Sequence, residues 1–323
     1  MKTKKLLTLA AFAVVATIAT TSLFSTFADS SSITFEPSLY SPGTIHNQDG
    51  WSSLGSAGMG CAVYDHGVVT NIGAPASFAT QSLRISNAVT SGCFGDHTFS
   101  KSLLREAGET TAQSGGMSTG PRQTYYEAQW QFASTVPGAE QPSLSVVASP
   151  DRGDGARMSW VQMKDTPSGL EVNFFDYQTG AVEAGCVTGD NFIFSNVASG
   201  LDRTTPHTIR ITMNFMDGLA NDVVKVYVDG MLLHTGTSWE DYFRECEGNP
   251  SRTVDSILFR TGGAPAPATA GKGFLIDNLN TVSSTQPTNA NQCKSGGFEN
   301  FTRPDGSPFR NQGDCIQYVN TGR

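Results

Sequence analysis

Charge is what this sequence has least of. Asp, Glu, Lys and Arg together make up 15% of its 323 residues. A coiled coil or long-helix bundle needs a much larger share of Ala, Glu, Lys and Leu, so neither is expected. Basic residues are outnumbered, 21 against 29, for a formal net charge of −8. An acidic chain must overcome phosphate repulsion, which argues against a nucleic-acid partner. None of the six cysteines forms a C-x-x-C pair, the usual frame of a zinc site. No long internal repeat is present, which excludes a propeller or solenoid. Beyond the N-terminus, no apolar run approaches the length of a membrane span.

What is there begins with a leader. Lys2, Lys4 and Lys5 precede an acid-free apolar run from Leu6 to Phe27, closing on Thr26-Phe27-Ala28. This pattern reads as a secretory signal peptide over 1–28, cut after Ala28. An uncleaved anchor is the alternative, disfavoured by the Thr and Ser scattered through the run. The expected location is therefore extracellular or in the cell envelope, with no membrane insertion after cleavage. Cys61, Cys93, Cys186, Cys246, Cys293 and Cys315 are an even set in an exported chain and read as three disulfides. Pairing in chain order gives Cys61–Cys93, Cys186–Cys246 and Cys293–Cys315. The last is the firmest, because the closing segment stands apart.

Almost every mature segment reads as a strand bounded by turn residues. Thr124 to Ala133 sets Tyr126, Ala128, Trp130 and Phe132 against Tyr125, Glu127, Gln129 and Gln131, a period of two with one apolar face. Similar strands are expected over 144–148, 156–163, 170–177, 207–215, 223–228, 256–260 and 273–279. Asp229-Gly230 supplies the positive φ angles of a type I′ turn, so 223–234 reads as a hairpin. Helix is scarce. Trp239 to Glu245, with Ser238 as N-cap and Asp241 in a variant capping box, is one short candidate; Ser102 to Glu109 is another. The fold class expected is all-β, a two-sheet antiparallel sandwich or jelly roll over 29–282. A polar linker follows at 283–292, then a cysteine-bridged C-terminal module at 293–323.

Several short stretches resemble a known group. Phe35-Glu36, Asn47-Gln48-Asp49-Gly50-Trp51, Gln81-Ser82-Leu83-Arg84-Ile85-Ser86, Val226-Tyr227-Val228-Asp229-Gly230 and Gly273-Phe274-Leu275-Ile276-Asp277-Asn278 follow one another in this order. Together they resemble secreted bacterial members of the concanavalin A-like lectin/glucanase superfamily, laminin G-like domains included. The resemblance covers roughly Ile33 to Val282. It implies a jelly roll whose concave sheet often carries glycans, in a superfamily that ranges from lectins to hydrolases and lyases. Fold likeness does not choose among them.

The residues that would perform catalysis in such proteins are mostly missing. Retaining glucanases of the superfamily place two glutamates about an Asp on one strand, and no E-x-D-x-E pattern occurs. Glu127 and Glu171 on polar strand faces are the remaining candidate pair. Of the motifs of alginate-lyase-like relatives, only the fragment Arg105-Glu106 is present. Gly116-Met117-Ser118-Thr119-Gly120 matches G-x-S-x-G but lacks the strand and helix of a nucleophile elbow, so it reads as a loop. Arg152-Gly153-Asp154 reads as a turn.

The reading that follows is a non-catalytic glycan-binding or adhesion protein, with a polysaccharide lyase or glycoside hydrolase of diverged site as the alternative. An extracellular polysaccharide or cell-surface glycan is the expected partner. Gln129, Gln131, Arg157, Asn173 and Arg210 would supply hydrogen bonds on one polar sheet face, given the strand register above. Tyr125, Tyr177 and Trp239 would be stacking groups, whereas Trp130 and Trp160 read as core. His207, at a strand start, reads as a surface residue. The resemblance also allows Ca²⁺, with Asp277 the favoured ligand among Asp49, Asp151, Asp154, Asp190 and Asn278.

Overall fold

The computed structural model describes residues 28–54, 65–89, 97–113, 118, 122–177, 192–246 and 252–323. Residues 1–27 of the proposed signal peptide, together with Cys61, Cys93, Cys186 and Asp190, lie outside them. The chain opens with β1 (Asp29–Ile33), β2 (Ser52–Leu54), β3 (Asp65–Thr70), β4 (Gln81–Ser86), β5 (His97–Phe99) and β6 (Ala107–Gly108). The long central strands are β7 (Tyr125–Ser134), β8 (Ser145–Asp151), β9 (Trp160–Thr166), β10 (Gly169–Tyr177), β11 (Phe192–Leu201) and β12 (His207–Asn214). Then come β13 (Val223–Val228), β14 (Met231–Gly236), α1 (Glu240–Cys246), β15 (Thr253–Val254), β16 (Ser256–Thr261), β17 (Phe274–Ser284) and α2 (Gln312–Thr321).

These strands form two large antiparallel sheets. The eight-stranded sheet runs β14-β13-β12-β7-β17-β4-β3, with β1 also paired to β17; the seven-stranded sheet runs β11-β10-β9-β8-β16-β5-β2. Strand β17 borders β7 along one edge and serves β4 and then β1 along the other. A register shift between Asp277 and Asn280, with Asn278 at φ 50°, divides these two pairings. The result is a two-sheet antiparallel β-sandwich.

The alternation read from the sequence decides what lies between the sheets. From β7, Tyr126, Ala128, Trp130 and Phe132 point inward and are fully buried. They meet Val161, Met163, Val172, Phe174, Ile257 and Phe259 of the opposite sheet in one apolar cluster. Trp130 lies edge-on to Phe259 at 5.9 Å, and the Tyr126 hydroxyl donates to the Ser256 carbonyl at 2.7 Å. Each large apolar side chain buried in this way contributes about 1.5–3 kcal/mol, which fixes the register of both sheets.

Local turn chemistry holds where it was expected, and fails at three helical positions. Asp229 and Gly230 take φ values of 50° and 80°, and the 223–234 hairpin forms. Helix α1 follows Ser238, whose Oγ accepts the Glu240 N–H at 3.1 Å. Asp241 completes no capping box; it accepts from the Ala220 N–H at 2.8 Å instead. The segment 102–109 is not helical, because its backbone is taken up by β6 and by bonds to Asp255 and Gln123. Helix α2 was not anticipated. Its signals were legible all the same: Asn311 caps the Asp314 N–H at 2.9 Å, and Gly322 closes the helix at φ 73°.

The closing segment is tied down rather than tethered loosely. Cys293 and Cys315 are bonded and share a small core with Phe309, Phe298, Phe301, Ile316, Tyr318 and Val319. Strand β17 runs two residues past Val282 into the polar stretch. Gln286 is buried there, and its Oε1 accepts from the Tyr318 hydroxyl at 2.6 Å. Cys246 is also disulfide-bonded, and its bond lies outside the described residues. Among the described residues, no helix is long and apolar enough to cross a membrane.

Candidate functional site

The six residues expected to share one ligand-binding face are divided between the two outer faces of the sandwich. Gln129, Gln131 and Arg210 sit on the outside of the eight-stranded sheet, where β7 and β12 pair Arg210 with Gln129. Asn173 and Tyr177 sit on the outside of the seven-stranded sheet, and Arg157 lies beside them on the turn between β8 and β9. Alternation within a strand correctly separates inside from outside; it carries no information about which sheet a strand joins. Glu127 and Glu171 are divided in the same way, so they make no carboxylate pair.

On the eight-stranded sheet the polar groups satisfy one another. The Tyr125 hydroxyl donates to Glu127 Oε2 at 2.5 Å, and Arg210 Nη1 reaches the same oxygen at 3.4 Å. The Arg210 guanidinium lies 3.7 Å from the centre of the Tyr227 ring. Gln131 Oε1 accepts from Asn278 Nδ2 at 2.9 Å. Asp277, the favoured calcium ligand, is buried and accepts from the Ser82 hydroxyl at 3.2 Å and the Asn278 N–H at 2.7 Å. Burial pushes its carboxyl up to about 7, against the effect of those two hydrogen bonds. Among the described residues, no group of three His, Cys, Asp or Glu side chains could hold a metal ion.

The seven-stranded sheet presents a different surface. Its outer face carries a row of amides: Asn196 Nδ2 donates to Asn173 Oδ1 at 2.8 Å, Asn173 Nδ2 to Gln162 Oε1 at 3.3 Å, and Gln162 Nε2 to Ser145 Oγ at 2.8 Å. One step along the strands lies an aromatic row. Trp160 sits 5.8 Å from Phe175, and Phe175 5.4 Å from Phe194. Helix α1 closes over its end. Trp239 donates its backbone N–H to the Met158 carbonyl and its indole N–H to the Phe175 carbonyl, both at 2.8 Å. Phe192 packs 4.5 Å from Trp239 and 5.4 Å from Tyr242.

These side chains enclose a cavity of about 260 Å³, lined by Arg157, Trp160, Phe175, Phe192, Trp239 and Tyr242. Trp160 therefore departs from expectation. Val161 and Met163 take the inward positions of β9, which leaves Trp160 half-buried on the outer face. Of the expected stacking residues, Trp239 is part of the cavity wall. Tyr177 is buried beside it, its hydroxyl donating to Glu245 Oε2 at 3.0 Å. Tyr125 is on the other sheet.

Two guanidinium groups flank Trp160, Arg157 at 5.6 Å and Arg260 at 5.3 Å from the ring centre. Asp151 positions the first. Its Oδ1 accepts the N–H groups of Gly153, Asp154 and Gly155 at 2.6, 3.0 and 3.1 Å, which fixes the turn leading to Arg157. In that turn Arg152 pairs with Asp154 at 2.7 Å, so the Arg-Gly-Asp tripeptide is closed on itself. His97 borders the same region. Burial, reinforced by the charges of Arg260 and Arg157, pushes its imidazole down to about 3 and keeps it neutral.

Sequence reasoning passed over Arg260, His97, Gln162, Phe175, Phe192 and Tyr242. For Arg260 the signal was available: Ile257 and Phe259 of β16 face the core, so Arg260 must face out. His207 is a further correction. It is buried, held by Asp229 Oδ2 at 2.8 Å and the Asp202 carbonyl at 2.9 Å. Ser118 is held as a structural residue, its hydroxyl 2.8 Å from both the Leu103 carbonyl and Asp255 Oδ2 and its N–H donating to Asp255 Oδ2 at 3.2 Å.

No family model matches the chain, and no curated protein matches it. Solved structures do. An alginate lyase, Aly36B, is 11% identical with a TM-score of 0.42, covering 80% of this chain and 98% of that one. The carbohydrate recognition domain of Emp47p is 12% identical at 0.34, covering 79% and 95%. The galectin LEC-6 of Caenorhabditis elegans is 11% identical at 0.28, covering 59% and 98%. At these values the likeness is one of jelly-roll architecture.

Proposed function

We propose that the chain is an extracellular, non-catalytic glycan-binding protein. Its ligand lies on the outer face of the seven-stranded sheet. The observation that carries this reading is the aromatic cavity formed by Trp160, Phe175, Phe192, Trp239 and Tyr242. A sugar ring has an apolar C–H face that packs on aromatic rings and a hydroxyl rim that seeks amides. Both chemistries lie within two neighbouring rows, since Gln162 and the buried Asn173 are one step along the strands from Trp160 and Phe175. The amides are already bonded to each other, so they are held in fixed orientations before any ligand arrives.

The test exposes the purified chain to a polysaccharide panel and records both retention and product release. Retention without products, abolished in W160A, is the expected result. New reducing ends or unsaturated sugars would move the chain to the hydrolases or lyases. Absence of retention on every polymer would defeat the reading.

A further inference from the structure

The cavity has a chemical asymmetry that a neutral sugar would not use. Five of its six lining side chains are aromatic, and the sixth is Arg157. Arg260 stands against the same Trp160 ring, so two cations approach one stacking platform. A guanidinium carries five N–H donors in a planar fork suited to carboxylate or sulfate, and it can serve more than one partner. We infer that the sugar received here is acidic, with a carboxylate or sulfate placed between Arg157 and Arg260 while its ring lies on Trp160. This rests on the glycan-binding reading and names its ligand class.

Three further observations bear on the inference. The chain as a whole is acidic, net −8, so a polyanion gains nothing from long-range attraction and must be held locally. Among the described residues, Asp151 beside Arg157 accepts the N–H groups of Gly153, Asp154 and Gly155, Glu245 accepts from Tyr177, and Asp176 holds His234 at 2.8 Å and the Thr237 N–H at 2.9 Å. His97, neutral down to about 3, adds no third cation at ordinary pH. Anion binding should therefore rest on the arginines and not on His97.

The experiment uses matched polymers: polygalacturonate against its methyl ester, and dextran sulfate against dextran, with a neutral β-glucan and xylan alongside. Affinity electrophoresis of the full chain reads retention, and thermal melting confirms that each variant folds. The expected result is retention on an acidic polymer, about tenfold weaker on its neutral counterpart, and about tenfold weaker in R157Q and in R260Q. R260K, which keeps the charge but not the fork, should recover part of the loss. The carboxylate and sulfate pairs tell which anion is taken. Equal retention on both members of each pair, or neutral polymers held by wild type and R157Q alike while W160A releases them, would overturn the acidic class and leave the glycan reading standing. No retention on any polymer would bring down both.

Discussion

The two outer faces of this sandwich are made by the same rule and end in opposite conditions. Both come from the polar half of alternating strands. On the eight-stranded sheet, Tyr125, Glu127, Arg210 and Tyr227 neutralise and cover one another. The C-terminal module approaches the same side, with Tyr318 and Val319 lining a cavity beside Asn214, Val223 and Lys225. On the seven-stranded sheet, the polar row is confined to amides, and the aromatic row beside it remains half-buried around open volume. A face whose charges are mutually paired contributes stability and solubility. A face that holds aromatic surface half-open against solvent bears a standing cost, and ligand binding relieves it.

Substitutions on the two faces should therefore separate binding from stability. W160A carries the largest expected effect, about 2–4 kcal/mol of binding, because it removes the platform at the centre of the cavity. Its counterpart on the other sheet is the triple variant Q129A/Q131A/R210A, which should leave retention unchanged within about twofold and lower the melting temperature slightly. Loss of binding in the triple variant with W160A intact would reverse the assignment of faces.

Removing the C-terminal disulfide sharpens the same contrast. Cys293 and Cys315 close a loop with a sequence separation of 22. In the chain-entropy account, a closure of that size is worth about 3 kcal/mol to the segment it ties. C293S/C315S should expose the 293–323 segment to limited proteolysis while the sandwich resists and glycan retention persists. Retention lost together with the module would mean that the module contributes to the site.

How much of this was legible in the residues follows from what alternation encodes. Inside and outside were readable: Tyr126, Ala128, Trp130 and Phe132 face the core as the pattern required. Sheet membership was not, because it depends on long-range order, with β7 beside β12 and β17 rather than beside β8. That single gap placed Gln129 and Arg210 with Asn173 as one site. Trp160 was misjudged for a related reason. The strand begins at Trp160 rather than at Ala156, so the register that would have put Met158 and Trp160 on one face never forms. Arg260 was decidable from its neighbours, and its company with Arg157 was not.

The next contrast is in pH. Near α1, Glu240 is 2% exposed, and among the described residues neither of its carboxylate oxygens has a hydrogen-bond partner. Asp222 accepts from Ser238 at 2.6 Å and from the Met216 N–H at 2.8 Å. Burial pushes both carboxyls above the ordinary range, and their proximity to Glu109 and Asp241 adds to the shift. Arg244, 3.5 Å from Glu240, opposes it. A raised carboxyl keeps its proton in the folded state, so its stabilising contribution is complete in acid and is lost as pH rises through the folded value. Because Trp239 leads directly into α1 and Tyr242 lies on it, glycan retention should weaken alongside the melting temperature as pH rises. E240Q should flatten both profiles, and a retention profile that does not follow stability would dissociate the helix from the cradle.

Asp277 gives the smallest and most discriminating comparison, since it is a raised carboxyl on the opposite face. Its folded value near 7 stands above the ordinary carboxylate value, so stability should fall between about pH 4 and pH 7, by at most about 1.4 kcal/mol per pH unit. In D277N the side chain can still accept the Asn278 N–H and bond the Ser82 hydroxyl, while the titration is gone. The melting temperature of D277N should accordingly hold level across that window while glycan retention follows the wild type at every pH. Retention that changed with D277N would tie the two faces together. Retention that changed only with E240Q would confirm that the outer surfaces of one sandwich titrate separately, one for stability and one for the ligand.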